Sequence, residues 1–140
     1  MYGLILYICT DFNHYNMAIP DYQQIMLPLL KFAGDKKEHT ISEVNEHISK
    51  FFNLTEKEKK ELLSSGQQAI IYNRVGWART YLQKSKLLES TRRRYFRITQ
   101  RGLEILEQKP SQIDVKFLKQ FPEFNEFKTS KRNKKEKHLL

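Results

Sequence analysis

Residues 67–99 read QQAIIYNRVGWARTYLQKSKLLESTRRRYFRIT, and the fold turns on how this stretch changes period. In its first half Ile71, Val75, Ala78 and Leu82 recur at i, i+4, i+7 and i+11, which stacks apolar side chains on one helix face. A helix over about Gln67–Lys84 is expected, with that stripe in the core. Asn73, Gly76, Thr80, Gln83 and Lys84 fall on the opposite face, while Trp77 and Tyr81 border the stripe. After Lys86 the period shortens to two. Leu87-Leu88-Glu89-Ser90 and Tyr95-Phe96-Arg97-Ile98 read as short strands joined by Thr91-Arg92-Arg93-Arg94. Alternation turns Phe96 and Ile98 inward and Tyr95 and Arg97 outward. Thr99 then caps a helix carrying Leu103, Ile105 and Leu106.

Upstream, Tyr22, Ile25, Met26, Leu29, Leu30 and Ala33 follow the helical period behind an Asp21 cap, with Gly34 as the stop. Pro28 should bend or divide this helix. Thr40 and Glu43 have capping-box spacing before the apolar face Ile41, Val44, Ile48, Phe51 and Phe52. Thr55 and Glu58 repeat the device before a charged helix that ends near Leu63, closed by Ser64-Ser65-Gly66. Downstream, Ser111 is placed to cap a short helix with Val115, Phe117, Leu118 and Phe121. Pro122 interrupts it, and Phe124 and Phe127 follow.

Helices, a long helix, a two-stranded hairpin and a further helix are the order of a winged helix-turn-helix, mainly α with a small β-hairpin. The expected division is a non-core extension at 1–16, the winged-helix domain at 17–109, a helical connector at 110–127 and a basic disordered tail at 128–140. At 140 residues, 39% of them apolar and including nine Phe and seven Tyr, the chain supports one core. A single cysteine, Cys9, excludes a disulfide framework and suits a reducing cytoplasm. The longest apolar run, Leu4–Cys9, is far short of the ~20 residues a membrane span needs. It lacks the basic flank and cleavage site of a signal peptide, and residues 1–16 read as lying upstream of a start at Met17.

The formal charge of +9 is unevenly placed. Residues 17–73 hold seven Lys/Arg against eight Asp/Glu, whereas residues 74–101 hold nine against Glu89 alone, a net of +8. A basic block inside a folded segment points to a polyanion, although a solvated basic face has the same composition. Three arginines at a hairpin tip repel one another unless an anion lies nearby. In a winged helix the long helix enters the major groove and the hairpin lies along the backbone, so double-stranded DNA is the expected partner. Phosphate contacts are assigned to Arg92, Arg93, Arg94, Arg97, Lys84 and Lys86. Base contacts are assigned to Asn73 and Thr80, with Gln67, Gln68 or Gln83 as further candidates. Gly76, which costs a helix interior about 1 kcal/mol against alanine, would let another backbone approach. Arg74 and Arg79 fit either task, or pairing with local carboxylates. Trp77 reads as a boundary packing residue.

The motifs Ile19-Pro20-Asp21-Tyr22, Met26-Leu27-Pro28-Leu29-Leu30, Leu62-Leu63-Ser64-Ser65-Gly66-Gln67 and Asn73-Arg74-Val75-Gly76-Trp77-Ala78-Arg79-Thr80-Tyr81-Leu82 resemble the N-terminal domain of Mrr-type restriction endonucleases. Phe96-Arg97-Ile98-Thr99 and Ile113-Asp114-Val115-Lys116-Phe117-Leu118 agree, so the resemblance covers about residues 17–127. It implies a winged-helix domain recognising DNA, in a family that restricts modified, often methylated, DNA. Such enzymes look like two-part proteins with a PD-(D/E)xK nuclease following this domain, so a nuclease in cis or in trans is an implied partner. Pro20-Asp21 with Asp35-Lys36-Lys37 meets the nuclease pattern on paper, but its chemistry needs carboxylates on adjacent strands sharing a metal. Asp21 reads as a helix cap and Asp35 as a turn residue, so cleavage is not expected from this chain. His39 and His47 lack zinc-pair spacing and read as surface residues, and neither metal nor cofactor is expected. A stand-alone transcriptional regulator and a protein-interaction module docking through the Phe-rich connector remain alternatives, and a homodimer is compatible with each.

Overall fold

Helix α1, Tyr22–Phe32, begins where Asp21 and Gln24 cap each other. The Gln24 amide donates to Asp21 Oδ1 at 2.8 Å, and the Asp21 amide to Gln24 Oε1 at 2.9 Å. The computed structural model describes residues 19–139, with side chains through Arg132. The expected extension at 1–16, with Cys9, and the start at Met17 lie outside the described residues. Pro28 does not divide α1, which buries Ile25, Met26, Leu29 and Leu30 completely. Gly34 is not the stop. The chain tightens into a 3₁₀ turn at Ala33–Asp35, and the left-handed residue is Lys36, with φ 69°.

Strand β1, His39–Thr40, is too short to show a sequence period and was not expected. Thr40 caps α2, Ile41–Phe51, by accepting the Glu43 amide at 3.1 Å. The Glu43 carboxylate also reaches His39 Nδ1, at 2.9 Å. Thr55 and Glu58 do form a capping box, opening α3, Glu56–Lys60. This helix ends earlier than expected, since Leu62 bridges to Ala69 around Gly66, whose φ is 72°. Gln67 and Gln68 belong to that turn, so α4 spans Ile70–Lys84 and begins three residues late. Its stripe of Ile71, Val75, Ala78 and Leu82 is fully buried, as the period requires.

The exit of α4 is a Schellman turn: the Lys86 amide bonds Gln83 O at 3.0 Å and the Leu87 amide bonds Leu82 O at 3.0 Å, with Lys86 at φ 63°. Strands β2, Leu88–Arg92, and β3, Tyr95–Ile98, follow in antiparallel register, with Leu88 opposite Ile98 and Ser90 opposite Phe96. A bulge near Thr91 carries β2 on to Arg92, so the turn itself is Arg93-Arg94 and not the three arginines expected. β1 adds to the far side of β3, giving the order β1-β3-β2. Helix α5, Gln100–Glu107, is capped by Thr99. Glycine is required at position 102, because a Cβ there would sit 2.3 Å from Leu87 O.

Asp114, not Ser111, caps α6, Val115–Leu118, by accepting the Phe117 amide at 2.8 Å. Pro122 opens α7, Pro122–Leu139, in the first helical position, where a missing N–H costs nothing. The segment expected as a connector is part of the core: Ile113, Leu118, Phe121 and Phe124 are buried in the same cluster as α1 and α4. The stretch expected to be a disordered tail continues α7 as helix. This is a mainly α winged-helix fold with a small antiparallel sheet, and no helix among the described residues is long and apolar enough to cross a membrane.

Candidate nucleic-acid interface

With one face of α4 in the core, the opposite face is presented to solvent. Gln68, Asn73, Gly76, Trp77, Arg79 and Thr80 line an open groove of about 260 Å³ along it. Asn73 Nδ2 donates to Gln68 Oε1 at 3.3 Å, linking two side chains that line the groove. Apart from the helix's own local backbone, nothing lies within 4 Å of the position a Gly76 Cβ would take, so no packing inside the domain calls for glycine there.

Arg79 lies on the flank of this strip. Its Nε is buried without a hydrogen-bond partner, and among the described residues no carboxylate pairs with it. Burial pulls its pKa down from the usual arginine value. A half-buried guanidinium without a counter-ion is unfavourable in the free domain and would gain from an anionic ligand. Arg74 behaves differently. Its Nη1 donates to the carbonyls of Ile19 at 2.8 Å and Pro20 at 3.2 Å, so it fastens the entering chain to α4 and does not join the strip. Among the described residues neither arginine forms a carboxylate pair, which was the other expectation for them.

The expected wing arginines separate into two groups. Arg92 Nε is 3.3 Å from Glu38 Oε1 and its guanidinium lies 3.7 Å over the Tyr95 ring, while Thr91 also donates to Glu38. Arg97 bonds the cross-strand Glu89 at 2.6 Å, which raises the arginine pKa. These two are committed inside the fold. Arg93 and Arg94 are exposed at the turn, with no ion pair to either among the described residues. At the C-terminal end of α4, Lys84 and Lys86 share a groove of about 410 Å³ with Gln83, Leu88, Glu89, Ser90 and Thr99. The structure therefore groups Asn73, Gly76, Arg79 and Thr80 along one groove and Lys84 and Lys86 at its end.

Two structural details escaped the sequence. His39, read as a surface residue, is buried, with Nε2 2.8 Å from Asp35 Oδ1 and Nδ1 2.9 Å from Glu43 Oε2. Burial opposes its charge, but the two carboxylates outweigh this and its pKa is raised. The spacing of Asp35, His39 and Glu43 by fours was the available signal. Asp21 and Asp35, which meet a nuclease pattern on paper, are engaged in capping α1 and holding His39. The second detail is Arg101, whose Nη1 reaches Ser85 O at 2.9 Å and whose fork grips Glu123 at 2.7 and 3.1 Å, tying α7 to the end of α4. Trp77 is 40% exposed, with its ring edge-on to Tyr81.

No solved structure matches the chain. The type IV methyl-directed restriction enzyme EcoKMrr of Escherichia coli (strain K12) is 27% identical over 96 residues, covering 67% of this chain and 31% of the relative. The chain thus spans about a third of that relative's length. Residues 22–108, from the first residue of α1 to just past the end of α5, match the family described as the Mrr N-terminal domain. With the match extending over most of the winged helix, this chain belongs to the Mrr N-terminal domain family.

Proposed function

We propose that this domain binds double-stranded DNA as the target-recognition part of a restriction system, and that modified, including methylated, DNA is its target. The observation that carries the reading is Arg79: a half-buried guanidinium, without an ion pair among the described residues, beside an open groove that also presents Asn73, Gly76 and Thr80. In this reading α4 enters the major groove, with Asn73 and Thr80 meeting base edges, Gly76 allowing close approach and Arg79 engaging phosphate or guanine. Lys84, Lys86, Arg93 and Arg94 contact phosphates and make binding salt-sensitive. Recognition, and not cleavage, is the role assigned to this chain, with a nuclease domain or subunit supplied in cis or in trans. The relative's description as a methyl-directed restriction enzyme supports the choice of target. A cytoplasmic setting and a homodimer on a two-fold target fit the same reading.

A protein-docking module is less well supported, because Phe121 and Phe124, the aromatics that would have formed its surface, are buried. The deciding experiment titrates matched methylated and unmethylated duplexes at two salt concentrations. Tighter binding to the methylated duplex is expected. Equal affinities would remove methyl recognition and leave DNA binding standing; no binding at either salt would remove both.

A further inference from the structure

Helix α7 lies along the edge of α4 that the strip leaves open. Trp77, Thr80, Lys84 and Lys86 face Phe127, Ser130 and Lys131 across a groove of about 640 Å³, with Glu123 and Glu126 at its α7 wall. Two lysines hold the helix in place through aromatic rings of α4. Lys128 Nζ bonds the Tyr81 hydroxyl at 3.0 Å, and Lys131 Nζ is 4.7 Å from the Trp77 ring centroid. Lys84 returns the contact, 5.3 Å over Phe127. The Arg101–Glu123 fork fixes the near end of α7.

The charge of α7 is polarised. Its first turns carry Glu123 and Glu126, whereas from Lys128 to Lys137 it carries Lys128, Lys131, Arg132, Lys134, Lys135 and Lys137 against Glu136. The recognition strip of α4 is therefore bordered on its α7 side by a helix that becomes strongly basic along its length, and at its C-terminal end by Lys84, Lys86 and the hairpin. We propose that α7 is a second DNA-contacting element. Lys131 engages a phosphate on the α7 side of the strip while Arg93 and Arg94 engage others at the hairpin, so the duplex is held by α7 as well as by α4 and the hairpin. This inference rests on the DNA-binding reading above.

The test measures binding of the full chain to a labelled duplex by anisotropy, over a salt series of about 50 to 200 mM. The variants are K131A, K131R, the triple variant K131A/K134A/K135A and the wing variant R93A/R94A, with thermal melting to compare their folding. The triple variant should bind several-fold more weakly. Its log K against log salt should be shallower by about 0.9 for each lysine that touched a phosphate. K131A should show part of the loss, and K131R should restore it. Hydroxyl-radical protection should be lost at different positions in the triple variant and in R93A/R94A. If the unsubstituted chain and R93A/R94A behave as the DNA reading requires but the triple variant keeps wild-type affinity and slope, α7 is not on the duplex and this proposal fails alone. No binding by the unsubstituted chain overturns the reading and the proposal together.

Discussion

Two glycines inside helices should respond in opposite directions to the same substitution. At Gly76 in α4 no atom other than the helix's own local backbone lies within 4 Å of the place an alanine methyl would occupy, so Gly76→Ala recovers helix propensity with no steric cost, up to about 1 kcal/mol. For a chain of this size that raises Tm by roughly 2–4 °C. At Gly102 in α5 the new Cβ would lie 2.3 Å from Leu87 O and 2.6 Å from Ile98 Cγ1. That carbonyl cannot swing aside freely, because it accepts the Thr99 amide at 3.0 Å. Gly102→Ala should therefore lose about 1–3 kcal/mol or more despite the same gain in propensity. Thermal melting gives the two signs, and a duplex titration gives the functional half of the argument. If α4 seats against DNA through its open strip, Gly76→Ala should weaken binding while stabilising the fold, and Gly76→Gln should weaken it further, about tenfold or more for each ~1.4 kcal/mol of misfit. A destabilised Gly76→Ala protein would refute the open face. A stable Gly76→Gln protein that binds as tightly as the original would place the duplex elsewhere.

The remaining expectations concern the supports of this face. His39 has a raised pKa in the fold, so its contribution to stability is fully present below about pH 6.5 and is lost as pH rises through the folded value. Asp35 contributes in the opposite sense: burial opposes its ionisation but its bond to His39 lowers its pKa overall, so its share is lost only as the solution becomes strongly acidic. His39→Gln should therefore cost more stability near pH 5.5 than near pH 8, measured by urea unfolding at each pH; an equal cost would mean that Asp35 and Glu43 do not raise the imidazole pKa in the fold. Lys86→Gly and Lys109→Gly each relieve a left-handed lysine, φ 63° and φ 50°, and should each raise stability by about 0.5–1 kcal/mol. Only the first should weaken duplex binding, and equal binding by both would remove Lys86 from the contact set. Arg93→Ala with Arg94→Ala should weaken binding to all sequences alike. Asn73→Ala or Thr80→Val should instead change preference among sequences, and a uniform loss would end their assignment as base readers.

The helices were legible because their signals are local. Asp21, Thr55 and Thr99 cap where their side chains can reach the third following amide, and the α4 stripe needs only its period. What escaped depends on tertiary partners. β1 is two residues long and exists because β3 offers it an edge. Gly34 read as a stop, yet the chain turns left-handed at Lys36 after a further 3₁₀ turn. The phenylalanines after Pro122 read as a connector because no local pattern says which aromatics will meet Tyr81, whose ring lies 5.5 Å from Phe124 and 5.8 Å from Phe127. The placement of the candidate residues was legible in outline for the same reason: which residues face away from the core follows from period, whereas which cations are already paired does not.

That last distinction sets the expected salt dependence. Counting charge alone, residues 74–101 carry nine cations, and a duplex meeting all of them would show a slope of log K against log salt near −8. In the fold Arg74 holds backbone carbonyls and Arg101 holds Glu123, while Arg92 and Arg97 are paired with Glu38 and Glu89. Arg79, Lys84, Lys86, Arg93 and Arg94 remain without an ion pair among the described residues. Five phosphate contacts at about 0.9 each give a slope near −4.5 for the α4 and hairpin surface. Measuring the slope in K131A/K134A/K135A takes three α7 lysines out of that sum. A value of about −4.5 supports the division into paired and available cations. A value of about −6 would mean that Arg92 and Arg97 leave their carboxylates on binding, and that the ion pairs seen in the free domain are exchanged for phosphate.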